Sequence, residues 1–92
     1  MTTSEMMRHS KKFAIDCGHL ILSLEINLVN RAYGNQLIRS ASSVGANYRA
    51  TRRAKSNADF INKFKIIEEE LDESLFFLEM INLIKIKEIK SQ

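Results

Sequence analysis

Residues Gln36–Lys55 read QLIRSASSVGANYRATRRAK and form the centre of the fold that we expect. The stretch has no acidic side chain and is rich in small ones. The distance between two packed helices depends on the side chains at their contact, so small residues at helical spacing allow a close approach. We therefore predict that this is the central helix of a bundle. Its small residues are Ser40, Ala41, Ser42, Ser43, Gly45, Ala46, Ala50 and Ala54.

Composition favours a single all-helical domain over residues 1–92. The chain has no proline and three glycines, which leaves few of the residues that build turns. A chain of this size buries only about 60% of its unfolded surface, so its core is marginal. The single cysteine, Cys17, has no partner for an internal disulfide. Self-association is then the expected source of further stability.

Apolar periodicity predicts three helices. The first spans about 5–24, the second about 28–54 after an N-cap at Asn27, and the third about 57–84. Residues 85–92 are expected to be a frayed helical extension. Together these segments predict an all-α fold, an up-and-down antiparallel helical bundle.

The second half of the third helix is apolar around almost its whole circumference. A helix with this pattern is buried on every side, and one small bundle cannot surround it. Some of its side chains are therefore expected to contact a second copy of the chain. The predicted oligomer interface comprises Leu75, Phe76, Phe77, Met80, Leu83 and Ile84.

The second and third helices carry opposite charge. Gln36–Lys55 contains five basic side chains and no acid, whereas residues 66–80 contain six acids and no base. Adjacent helices of opposite sign attract each other first, so we predict ion pairs between the two helices. They are expected to join Arg49 to Glu69, Glu70 or Glu73.

Basic residues with no obvious acidic partner within the chain are candidates for phosphate contacts. Alternatively, those near the end of the second helix complement its negative dipole terminus, or pair with a neighbouring subunit. No aromatic residue interleaves with them to stack on bases, so any binding is expected to tolerate sequence changes. The candidate nucleic-acid-binding residues are Arg39, Arg52, Arg53 and Lys55.

The sequence shows no catalytic constellation, so we expect no enzymatic activity and no cofactor. Neither His9 nor His19 lies on the helix that carries the candidate serine nucleophiles, and no glycine-rich phosphate loop is present. The acids of the third helix lack the histidines of di-metal bundles, so no metal site is expected. No apolar run approaches the roughly 20 residues of a membrane span, and a lone cysteine suits the cytoplasm, where we expect the protein.

Four segments of the sequence, with intact spacing between them, together carry a resemblance to a known family. They are Asn35–Ala50, Arg52–Ser56, Ala58–Phe60 and the acidic pattern Glu68–Glu79. These segments resemble the bacterial four-helix-bundle family associated with intervening sequences of 23S ribosomal RNA. The resemblance implies up-and-down bundles that assemble as rings, commonly pentamers, without catalytic activity. A related family, the accessory variability determinant of diversity-generating retroelements, forms a basic pentamer that engages reverse transcriptase and nucleic acid.

The resemblance also predicts a difference in the number of helices. The family has four helices, whereas for this sequence we expect three long helices, with the fourth short or missing. We expect a non-enzymatic, self-assembling bundle that binds RNA or DNA through a basic surface, in a ribosomal-RNA intervening-sequence or ribonucleoprotein context. The alternative is a purely structural protein–protein interaction module that binds no nucleic acid.

Overall fold

The computed structural model describes residues 1–91 and consists of three α-helices. They are α1 (Thr3–Ser23), α2 (Leu28–Ala50) and α3 (Asn57–Ser91), and a short 3₁₀ turn, Thr51–Arg53, follows α2. No β-strand occurs in the described residues. The prediction of an all-α fold with three helices is therefore confirmed.

Side-chain caps define where α1 and α2 begin. The backbone N–H of Glu5 donates to the Thr2 hydroxyl at 3.1 Å, and that of Asn30 donates to the Asn27 side chain at 2.8 Å. Each bond satisfies one of the N–H groups that a helix leaves unpaired at its start. The predicted N-cap at Asn27 is confirmed.

The start of α3 is fixed by Ser56 and Asp59. The backbone N–H of Asp59 donates to the Ser56 hydroxyl at 3.0 Å. The Asp59 carboxylate accepts the Lys55 backbone N–H at 2.9 Å and the Lys63 ammonium at 2.8 Å. One acidic side chain thus ties the chain before α3 to the first turns of that helix.

Two helix ends differ from the sequence prediction by more than two residues. The Thr51 hydroxyl donates to the Tyr48 carbonyl at 2.6 Å, and such side-chain bonds compete with continued backbone pairing. α2 therefore gives way to the 3₁₀ turn after Ala50, before its predicted boundary. α3 instead continues to Ser91, through the segment that was expected to fray, and Gln92 lies outside the described residues.

α2 is the middle helix and packs along both of the others. Among the described residues, no Cα atom of α1 comes within 8 Å of one in α3. Side chains still join the three helices, because Cys17, Leu37, Ala41 and Ile81 form one buried cluster. The central position of α2 agrees with the prediction from its small residues.

Small residues bring α2 close to both neighbours. A Cβ atom added to Gly45 would lie 3.6 Å from the backbone oxygen of Ser10, so the backbones of α1 and α2 nearly touch there. On the other side, the hydroxyls of Ser40 and Ser74 are 2.8 Å apart, and neither residue is exposed to solvent. The contact between Ser40 and Ser74 leaves no room for larger side chains at these two positions.

Candidate nucleic-acid interface

Arg39 is bound by acids of α3 rather than free for phosphate. Its guanidinium forms ion pairs with Glu73 and, at 3.4 Å, with Glu70. The hydrogen bond to Glu73 raises the pKa of the Arg39 guanidinium above its ordinary value. The prediction that Arg39 is poorly matched by acids is therefore wrong, because this side of α2 faces the acidic stripe of α3.

Arg49 lies on a different side of α2. It is about 80° around the helix axis from Arg39 at 3.6 residues per turn. It makes no ion pair with any acid in the described part of the chain, and neither does Glu69. The predicted pairing of Arg49 with Glu69, Glu70 or Glu73 is therefore wrong, and Arg39 takes the role that was expected of Arg49.

Arg49 instead lines an open groove between α1 and α2, with a volume of about 630 Å³. The charged residues of this groove are Arg8 and Lys11 on α1, Arg49 on α2, and Arg52 in the 3₁₀ turn. No acid of the described chain lines it. The remaining lining residues are Met7, Ala14, Ser42, Gly45 and Ala46.

The four groove cations have no acidic partner among the residues described. Arg52 donates from Nε to the backbone oxygen of Arg49 at 3.3 Å, which places both side chains at the end of α2. A nearby ion pair involves a different basic residue, Lys12, whose ammonium lies 2.9 Å from the Asp16 carboxylate. Four like charges along one groove repel each other, and a bound anion would relieve that repulsion.

Arg53 and Lys55 extend the positive surface beyond the groove. Both side chains are exposed, and Arg53 makes no ion pair with a described residue. Hydrogen bonds from the Lys63 side chain and the Lys55 backbone lower the pKa of Asp59, and the charge of Lys55 contributes to this shift. Lys55 therefore lies near one carboxylate, whereas Arg53 has no acidic partner among the described residues.

Arg8 and Lys11 are functional candidates that the sequence analysis missed. Their spacing places them on one side of α1, but Lys12 is equally basic, and the local sequence does not distinguish them. The distinction depends on how α1 is rotated against α2. In the structure Lys11 lines the groove, whereas Lys12 pairs with Asp16.

Some residues of the predicted oligomer interface are exposed to solvent, whereas others pack against the core of the chain. Phe77 packs against Tyr33, with ring centroids 6.0 Å apart, and contacts the buried cluster. Met80 and Ile84 are half-buried. The members most available to a second copy are Leu75, Phe76 and Leu83, which are 47%, 53% and 59% exposed.

Other chemical features are few. Cys17 is buried, and this burial, with a smaller effect of Asp16, raises the pKa of its thiol. No cluster of three or more histidine, cysteine or acidic residues that could hold a metal ion occurs in the described part of the chain. None of the described helices is both long and apolar enough to cross a bilayer.

Comparison with known proteins adds one solved structure. The chain is similar to a protein of unknown function from the S23 ribosomal protein family of Bacteroides thetaiotaomicron VPI-5482. The two are 32% identical, with a TM-score of 0.78, and the match covers 94% of this chain and 77% of the other. No protein-family model matches the chain, and no curated protein is significantly similar to it.

Proposed function

This chain belongs to the S23 ribosomal protein family, and on that basis we propose that it is a non-enzymatic, self-assembling helical protein that binds RNA or DNA. The family name of the solved relative connects it with the ribosome, which supports an RNA-containing setting. The binding surface is the basic end of the molecule. We define the basic end as Arg8, Lys11, Arg49, Arg52 and Arg53.

The observation that carries the proposal is the lack of acidic partners at the basic end. Within the described residues none of these five cations makes an ion pair, whereas Lys12, Arg39 and Lys63 do. The positive charge at this end is therefore not neutralised by ion pairs within the described part of the chain. Lys and Arg side chains that neutralise phosphates release condensed counterions, which supplies most of the affinity of sequence-tolerant binding.

Acidic side chains of α3 determine which face of the protein a nucleic acid can approach. Glu68, Asp72 and Glu79 are exposed on α3 and repel a phosphate backbone. Part of the acidic stripe is already neutralised, since Arg39 pairs with Glu70 and Glu73. A nucleic acid should thus approach from the α1–α2 side, away from the exposed face of α3.

The direct test is titration of labelled RNA and duplex DNA by fluorescence anisotropy across a salt series. Log K should fall by about 0.7–0.9 per neutralised phosphate for each tenfold rise in salt. The variant Arg52→Ala/Arg53→Ala should bind more weakly and reduce that slope by about 1.4–1.8. Arg31→Ala is the matched control, because Arg31 lies on α2 about 27 Å from Arg49 at 1.5 Å per residue.

Two outcomes would contradict nucleic-acid binding. One is that neither RNA nor DNA binds at low salt, and the other is that Arg52→Ala/Arg53→Ala binds as tightly as the unmodified protein. The alternative function, a protein–protein interaction module, would then be favoured. It has its own structural support in the exposed apolar side chains Leu75, Phe76 and Leu83 of α3.

A further inference from the structure

The packing of α1 against α2 fixes the order of the groove cations. The helices run antiparallel, with Gly45 opposite Ser10 and Gly34 opposite Ile21. In this register Arg49 and Arg52 lie beyond Ser10, toward the start of α1. The cations therefore follow one another along the groove in the order Lys11, Arg8, Arg49 and Arg52.

This order produces a diagonal line of positive charge. Lys11 and Arg8 lie on the α1 wall, whereas Arg49 lies on the α2 wall and Arg52 just beyond it. At a rise of 1.5 Å per residue, the four residues are spread over about 12 Å along the helix axes. Along a duplex axis one strand advances about 3.4 Å per phosphate, so this length is comparable to a short run of successive phosphates of one backbone.

The floor of the groove allows a backbone to approach closely. Gly45 and Ala46 present almost no side chain, and the exposed Ser42 hydroxyl makes no hydrogen bond to a described residue. That hydroxyl is available to donate to a phosphate oxygen. No aromatic side chain of the described chain lines the groove, so bases would not be stacked there.

We propose that the α1–α2 groove binds the sugar–phosphate backbone of a single unpaired strand of nucleic acid in preference to a duplex. Adjacent helices pack with their axes about 8–10 Å apart, so the groove between them accommodates one strand. A duplex is stiff, with a persistence length of about 150 base pairs, so its phosphates keep a fixed arrangement and do not adjust to cations on two walls. An unpaired strand bends freely and brings successive phosphates to both walls.

This inference rests on the proposed function and is narrower than it. The test compares a labelled unstructured strand of oligo-uridine with an RNA duplex of the same length, using the full chain at one low salt concentration. We expect the single strand to bind at least tenfold more tightly. Arg8→Ala/Lys11→Ala should weaken single-strand binding at least tenfold and reduce its salt slope by about 1.4.

Two further variants show whether the groove itself is responsible. Ser42→Glu places a negative charge on the floor and should lower single-strand affinity by at least tenfold. Lys12→Ala should leave it unchanged, since Lys12 neighbours Lys11 but pairs with Asp16 outside the groove. Circular dichroism melts establish that each variant is folded.

The outcomes separate this inference from the proposed function. Equal or tighter binding of the duplex would overturn the preference for a single strand while leaving nucleic-acid binding in place. Wild-type affinity in Arg8→Ala/Lys11→Ala would overturn the groove as the site, again without affecting the broader proposal. Absence of binding to both nucleic acids would overturn both.

Discussion

Ser74 of α3 and Ser40 of α2 lie in direct contact, with their hydroxyl oxygens 2.8 Å apart and both residues fully buried. Each hydroxyl has one proton to donate. Ser74 can donate to Ser40, and Ser40 to the backbone carbonyl of Leu37 at 3.2 Å. The pair thus satisfies its donors without water, and it sets how closely α2 and α3 pack.

Substitution of Ser74 should distinguish hydrogen bonding from packing at this contact. Ser74→Ala removes one buried hydrogen bond and should lower the free energy of unfolding by about 1 kcal/mol. Ser74→Leu must push α2 and α3 apart and should cost about 1–3 kcal/mol or more. Denaturant melts measure both values, with Ser23→Ala as an exposed control. If Ser74→Leu is no less stable than Ser74→Ala, the close contact does not limit packing.

Two glycines of α2 should respond differently to alanine. Alanine is about 1 kcal/mol better than glycine inside a helix. At Gly45 the added Cβ lies 3.6 Å from its nearest neighbour, the Ser10 backbone, so Gly45→Ala should keep most of that gain. At Gly34 the added Cβ lies 3.0 Å from Cγ2 of Ile21, a stiff β-branched side chain. Gly34→Ala should therefore keep little of the stability that alanine adds to a helix. Thermal melts in which Gly34→Ala is the more stable variant would contradict this register.

The ion pair between Arg39 and Glu73 should contribute little to stability. The Arg39 side chain is 49% exposed, and solvent weakens the attraction between exposed charges. A double-mutant cycle with Arg39→Ala and Glu73→Gln should give a small favourable coupling energy. A cycle in which Arg49→Ala replaces Arg39→Ala should give no coupling energy with Glu73→Gln. A larger coupling for Arg49 than for Arg39 would show that the observed pairing is not the one in solution.

Asp59 should make the stability of the protein sensitive to acid. Its hydrogen bonds to the Lys63 side chain and the Lys55 backbone hold its pKa below the ordinary value of 3.8. A folded-state pKa that is lower than the unfolded one favours the folded state above pH 3.8, and that contribution is lost as the pH falls through the lowered pKa.

Asp59→Asn should therefore flatten the dependence of unfolding free energy on pH between about pH 2 and pH 5. Asp72→Asn is the control, since Asp72 makes no ion pair in the described chain. Denaturant melts over this range measure both. An equal effect of the two variants would contradict the role given to Asp59.

The exposed apolar face of α3 should mediate self-assembly. Phe76 is 53% exposed, and Phe76→Lys places a charge where a second copy would bury an aromatic ring. Sedimentation velocity at micromolar concentration should show an oligomer for the unmodified protein and a smaller species for Phe76→Lys. Asn62→Lys adds the same charge elsewhere on α3 and serves as control. A well-folded monomer of the unmodified protein would contradict self-assembly.

Local signals were enough to predict the helices, whereas the pairing of charges required tertiary information. Apolar spacing and the Asn27 cap act within a few residues, so three helices could be predicted from the sequence. The exchange of roles between Arg39 and Arg49 depends on the rotation of α2, which brings Arg39 to α3 and Arg49 to α1. The contribution of Arg8 depends on the register of two helices, which glycine contacts set only in the folded chain.

The position of α2 between two outer helices that meet only through side chains has a consequence for partial unfolding. Detachment of either outer helix removes its side chains from the shared cluster but keeps the backbone packing of the remaining pair, so the chain has two separate sub-global openings. Opening of α2 disrupts both interfaces at once. Amide hydrogen exchange should then be slowest in α2 around Ser40, faster in α1 and α3, and fastest toward the end of α3, which extends past the start of α2.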